Sequence, residues 1–245
     1  MVHPEQPRPQ PGRQHDVPIH PDQPRLLQVV AGKRCRIEGM EPSDLQCKAE
    51  IAAAAARLVV EDGLEYGPAK RQAARLLGLA ARAPLPANED VEDAVFEYIA
   101  VFCADTQEHE LACLRALALR WMERMAEFRP YLTSAVWRGS ATRHSYIQIE
   151  LFCDDCKSAE IKLIDQKIAY DPQTIAGMRG ETVEALCLFD HYSGIDEAIA
   201  IHLLVYDHDQ LRGALRPDNR GRTPRGSLAA VRELVKASAT SPDKT

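Results

Sequence analysis

Residues Gly139–Phe152, GSATRHSYIQIELF, carry the reading on which the fold turns. A Gly-Ser pair leads, after a short loop, into a stretch that alternates polar and apolar residues. On a strand, side chains two apart share a face. Ile147, Ile149 and Leu151 therefore form a core face, while Tyr146, Gln148, Glu150 and Phe152 face the other way. That second face is available to a site in a cleft above the Gly-Ser turn.

On either side of this stretch the hydrophobic period changes. Before it, helical spacing dominates. A first helix with Ser43 as N-cap runs through Glu50, Ala54, Leu58 and Val59 and stops at Asp62-Gly63. A second spans roughly Pro68–Leu77 and ends at Gly78, and Asn88 caps a third with Val91, Val95, Ile99 and Phe102 on one side. The fourth has the clearest pattern: Leu111, Leu114, Ala118, Trp121, Met125 and Phe128 recur in steps of three and four until Pro130. After Pro130 the period becomes that of strands. LTSAVW (132–137) reads as a strand, Gly139-Ser140 as the turn and YIQIELF (146–152) as the next strand. A helix over Ala159–Gln166 follows, then strands near VEALCLF (183–189) and AIAIHLLVY (198–206). Short helices near Gln210–Leu215 and Ser227–Lys236 close the order.

The fold class that follows is α+β: an N-terminal helical region, then a mixed β-sheet with flanking helices. The expected divisions are a Pro/Gln-rich disordered tail and leader (1–40), the helical region (41–129), the sheet-bearing α/β domain (130–237) and a short disordered tail (238–245). Seven prolines in residues 1–28 leave the N-terminal tail almost nothing to bury.

Trp137-Arg138-Gly139-Ser140 followed by Ser145-Tyr146-Ile147-Gln148-Ile149 resembles the nucleotidyltransferase superfamily of the DNA polymerase β type, over roughly residues 130–206. In that family a strand ends in a Gly-Ser turn, and the next strand carries Asp-x-Asp within Ser-Asp-Ile-Asp-Leu. The resemblance implies that the turn holds the triphosphate of a nucleotide. The two aspartates and a third carboxylate from a later strand hold two magnesium ions for attack on the α-phosphate. Here Tyr146 and Gln148 stand at the two aspartate positions, and His202 stands at the third. Neutral donors do not offset two divalent charges. Glu150 shares the face but lies roughly 7 Å beyond Gln148. The resemblance thus implies a nucleotide-binding, catalytically degenerate member, a pseudoenzyme, whose enzymatic activity stays open. Nucleotide-binding candidates are Gly139, Ser140, Arg143, Gln148, Glu150 and Arg222, with no catalytic and no metal-ligating residue assigned. Magnesium is the cofactor the resemblance implies, its ligands are largely missing, and the cofactor is left undetermined.

Other groupings compete with this reading. Cys153-Asp-Asp-Cys156 lacks the second ligand pair of a structural zinc, and His144, His191, His202 and His208 supply one only by coincidence of folding. Two unpaired thiols are the simpler reading. Ala55–Leu79 is similar in cadence to the opening of tetracycline-repressor-type DNA-binding domains. The prolines of AARAPLPANED (80–90) prevent the recognition helix, and Lys70, Arg71 and Arg75 are few. A regulatory DNA- or protein-binding module built on the N-terminal helices is the alternative function. The run LRGALRPDNRGRTPRGSL carries Arg212, Arg216, Arg220, Arg222 and Arg225; it reads as a solvated loop, or as a clamp on an anion beside the turn. Asp207-His-Asp209 reads as the cap of a short helix.

Charge and hydropathy set the remaining limits. A net charge of −6 and a pI near 5.8 give no support to broad nucleic-acid binding, so nucleic acid is not an expected partner. No stretch approaches a membrane span; the longest, IAAAAARLVV, is interrupted by Arg57. Seven cysteines without scaffold spacing and no apolar leader point to a cytoplasmic protein with reduced thiols.

Overall fold

The computed structural model describes residues 42–240, apart from 81, 179, 213 and 219. The expectation for the tail and leader (1–40) lies outside the described residues; of the expected tail 238–245, residues 238–240 are helical and 241–245 lie outside the described residues.

The described chain begins with three helices: α1 (Pro42–Asp62), α2 (Tyr66–Leu76) and α3 (Asn88–Phe102). They share a core of Ile51, Ala55, Ala56, Ala69, Ala73, Val91, Val95 and Ile99. Small alanine side chains on α1 and α2 face this shared core, and side chains of that size permit close helix approach. Asn88 is the first helical residue of α3 and not its cap. Ala87 holds the cap position, and its N–H donates to Asp90 Oδ2 at 2.9 Å. The side chain of Asn88 is drawn elsewhere, accepting from Lys70 Nζ at 2.7 Å.

Helix α4 (Gln107–Arg124) buries the stripe read from its spacing, including Leu111, Leu114, Ala118 and Trp121. Its partner is the sheet: the same cluster includes Leu132, Ile147, Ile149, Leu151, Ile201 and Leu203. The helix stops at Arg124, and Phe128 reaches that core from a short 3-10 turn, Ala126–Phe128.

The expected α+β class holds. Among the described residues one six-stranded mixed sheet follows, from β1 (Tyr131–Thr133), β2 (Ile147–Cys153), β3 (Asp171–Ala176), β4 (Thr182–Tyr192), β5 (Ile195–Asp207) and β6 (Gly226–Ser227). Its order is β3-β4-β5-β2-β1-β6, antiparallel except between β2 and β5. The edge strand β3 carries no apolar run, which is why the sequence pattern does not reveal it. Helices α5 (Ser134–Arg138), α6 (Ser158–Asp165) and α7 (Leu228–Thr240) complete the region.

The alternation on β2 sorts the sheet into two faces. Ile147, Ile149, Leu151 and Cys153 join Ile199, Ile201, Leu203 and Val205 of β5 against the helices. On the other face Phe152, Leu204, Tyr206, Ala185 and Cys187 make a smaller cluster near one end of the sheet. Toward the start of β2 that face is polar, with Gln148 and Glu150, and there the cleft forms.

Polar contacts join the helical cluster to the sheet region. Thr142 Oγ1 donates to the Val60 carbonyl at 3.2 Å. Gly63 follows α1 with φ +66°, and a Cβ there would stand 2.5 Å from the His144 carbonyl oxygen. Only glycine meets both demands, a left-handed backbone and the approach of another chain segment.

Candidate functional site

A cleft of about 520 Å³ lies between the helical cluster and the polar part of the sheet face. Its walls include Glu65, Tyr66, Glu89 and Glu92 from the helices, and Thr133, Ser134, Arg138, Tyr146, Gln148, Glu150 and Arg225 from the sheet side. The volume is in the range of small-molecule and cofactor sites.

The entry from β1 into this cleft differs from the sequence expectation. LTSAVW is a strand only through Thr133; Ser134 has φ +62°, and Ser134–Arg138 wind into α5. Gly139, with φ +91°, is the left-handed end of that helix, and the N–H groups of Gly139 and Ser140 both donate to the Ala135 carbonyl. A glycine at positive φ serves a strand turn and a helix end equally well, so the residue type does not separate the two. Gly139 and Ser140 are outside the cleft wall. Ser140 is buried, and Gln107 Nε2 donates to the carbonyls of Gly139 at 3.0 Å and Ala141 at 2.9 Å. The Gly-Ser pair is therefore anchored to α4 and is not the turn that opens the cleft.

Three other positions do converge. Gln148 of β2 pairs in register with His202 of the parallel strand β5. The Tyr146 ring stacks on the His202 imidazole, with centroids 4.6 Å apart and planes 27° from parallel. The Tyr146 hydroxyl donates to Glu65 Oε1 of the segment after α1. Burial, reinforced by the Glu65 carboxylate, pushes the Tyr146 hydroxyl pKa well above its ordinary value. Burial likewise holds the His202 imidazole below its ordinary value, partly opposed by Glu65, so it favours the neutral ring.

These donors do not fit magnesium. A phenol that keeps its proton, an amide and a neutral imidazole supply no anionic oxygen. The carboxylate of Glu150 is engaged by Arg225: Nη2 donates to Oε1 at 3.0 Å and Nε donates to Oε2. Arg225 Nη1 also donates to the Ala214 carbonyl at 2.7 Å, tying the pair to the chain beyond β5. Burial still lifts the Glu150 pKa, against the pull of Arg225. Among the described residues no group of three or more His, Cys, Asp and Glu is placed to hold a metal. The six cysteines of the described residues are free thiols, Cys153 and Cys156 included.

The arginine-rich segment is not a freely solvated loop. Arg220 makes a two-pronged ion pair with Asp93, at 2.6 and 2.8 Å. Arg222 reaches Glu92 at 2.5 Å and Asp218 at 3.1 Å. Of the six candidate residues, Gln148 and Glu150 line the cleft, and Arg222 stands behind it on Glu92. Arg143 is exposed and outside the wall, with its Nε bonded to His144 Nε2 at 3.2 Å. The Asp207–Asp209 segment is a cap: Asp207 Oδ1 accepts from the Asp209 N–H at 2.8 Å. It opens a 3-10 turn, His208–Leu211, in place of the expected helix over Gln210–Leu215.

Glu65, Glu92 and Ser134 were not legible as site residues. In sequence Glu92 sits beside the apolar stripe of α3 and reads as solvent-facing. Its partners, Arg138 and Arg222, come from 46 and 130 positions further along the chain. Comparison of the chain with protein-family models, with curated proteins and with solved structures yields no match.

Proposed function

We propose that this chain is a nucleotidyltransferase-like protein that binds a nucleotide in the cleft and carries out no magnesium-dependent transfer. The observation that carries this reading is the convergence of Tyr146, Gln148 and His202. They are the three positions at which the resemblance places metal-binding carboxylates; Tyr146 and Gln148 line the cleft, His202 packs against Tyr146 behind them, and none is a carboxylate. The turn that ends β1 also supports it. Ser134 takes a left-handed backbone that a non-glycine residue rarely adopts, and it lines the cleft. Strain of this kind gathers at binding sites. In this reading Ser134-Ala135 takes over the phosphate-turn role that the resemblance implies for Gly139-Ser140. Gln148 is the amide facing the ligand. The test is thermal unfolding with ATP, GTP, CTP and UTP, each with and without magnesium. A rise in melting temperature with at least one nucleotide, equal with and without the metal, is expected. No rise with any nucleotide ends the binding reading; a rise that requires magnesium ends its metal-free part.

A second reading, a protein-binding module on the N-terminal helices, is favoured by the exposure of Leu76 (71%), Val101 (71%) and Phe102 (58%). Apolar side chains this open on adjacent helices suit a partner surface. The DNA version is weaker, because Lys70 is occupied by Asn88 and the Pro86 carbonyl. Retardation of mixed DNA fragments by the full chain, unaffected by Arg71→Ala and Arg75→Ala, would take the helices out of any DNA role.

A further inference from the structure

Glu92 is a fully buried carboxylate on the face of α3 that meets the cleft. Its two oxygens are divided between two arginines. Arg138 Nη1, from the end of α5, donates to Oε1 at 2.9 Å, and Arg222 Nη2 donates to Oε2 at 2.5 Å. Asp218 shares the same guanidinium nitrogens, its Oδ2 standing 3.1 Å from Arg222 Nη2 and 3.8 Å from Arg138 Nη1. Two positive and two negative groups thus cancel, and the hydroxyl of Tyr66 lies close to the set.

The origin of the four groups is informative. Arg138, Arg222 and Asp218 all belong to the sheet side of the cleft; Glu92 alone belongs to the helical cluster, which has its own apolar core. Without Glu92, the sheet side presents two guanidinium groups converging on one point beside the cleft wall, with Asp218 as their remaining carboxylate and a net positive charge. Guanidinium pairs of this kind are suited to phosphate, whose oxygens accept several charge-assisted bonds and which carries more charge than a carboxylate. A buried carboxylate–arginine set gains little over its own desolvation cost, so a more highly charged anion can compete for the same donors.

We infer that Arg138 and Arg222 form a binding site for a phosphate group of the cleft ligand, and that Glu92 occupies this site as a built-in competitor. Ligand phosphate and the α3 carboxylate then exclude one another. Binding loosens α3 from the sheet side, and α3 docking weakens binding. The identity of the ligand as a nucleotide rests on the reading proposed above; the anion site does not.

Inorganic pyrophosphate is the probe, with sodium chloride at matched ionic strength as the control. Pyrophosphate is expected to bind the Glu92→Ala full-length chain at least tenfold more tightly than the native chain by calorimetry, and to raise its melting temperature where chloride does not. Adding Arg138→Met to Glu92→Ala should remove the gain. Equal or weaker binding by Glu92→Ala overturns the inference, as does a gain that persists in the double variant. Should Glu92→Ala be unfolded in chloride, refolding by pyrophosphate supports the site. Failure to refold with pyrophosphate overturns it, because Glu92 is then structural and not replaceable by an anion. Pyrophosphate binding to Glu92→Ala with no response of either chain to any nucleoside triphosphate keeps the anion site and ends the nucleotide reading.

Discussion

The Tyr146 ring stacks on the His202 imidazole, centroids 4.6 Å apart, where β2 and β5 run parallel. Tyr146 is the member of the stack that lines the cleft. It also links the helical cluster to the sheet, since the Tyr146 hydroxyl donates to Glu65.

Removing that hydroxyl separates the two roles. Tyr146→Phe keeps the stack and loses the bond to the exposed Glu65, so unfolding free energy should fall by about 1 kcal/mol. Urea unfolding measures it. A loss several times larger would mean that the bond holds the helical cluster against the sheet.

The imidazole of His202 makes stability depend on pH. Its pKa in the folded chain is below the reference value of 6.5, because burial disfavours the charged ring. The unfolded chain therefore takes up this proton at higher pH than the folded one. The contribution of His202 is fully present above about 6.5 and is lost as pH falls from there through the lower folded value. Between pH 7.5 and 5.5 the urea midpoint of the native chain should drop more than that of His202→Asn. Equal drops would contradict the assignment.

Gly63 and Gly78 provide a matched comparison. Both have positive φ, at +66° and +69°, but a Cβ on Gly63 meets the His144 carbonyl while one on Gly78 meets nothing within 4 Å. Gly78→Ala should cost about 1 kcal/mol, the backbone penalty alone. Gly63→Ala should cost about 2–4 kcal/mol, because the overlap adds to that penalty. Thermal unfolding of the two variants side by side tests the ranking.

Arg225 neutralises a glutamate that is only 3% exposed. Arg225→Met leaves Glu150 buried without its partner and should cost about 3–5 kcal/mol. Adding Glu150→Gln removes the stranded charge and should restore part of that loss. A double variant no more stable than Arg225→Met would mean that the arginine acts through its bond to the Ala214 carbonyl instead.

How far the sequence could be read varied with the kind of signal. The stripe of α4 and the alternation of β2 were legible because a regular period in one segment reports which side is buried. The strand β3 was not, since an exposed edge strand needs no apolar alternation. The Gly139-Ser140 pair misled for a definite reason: positive φ ends helices as readily as it turns strands, and Ser134, the residue that does turn the chain into the cleft, has no glycine to announce it.

By itself, then, the sequence determined the α+β order, the buried faces of α4 and β2, and the absence of carboxylates at Tyr146, Gln148 and His202. These depend on residue type and local spacing. Only the tertiary structure decided that Tyr146 and His202 stack, that Glu150 is taken by Arg225, and that Glu92 is held by Arg138 and Arg222. Partners 46, 56, 75 and 130 positions apart leave no periodic trace in the chain. They meet because the parallel pairing of β2 with β5 and the return of the arginine-rich segment bring distant charges into one cleft, where burial makes each unpaired group costly.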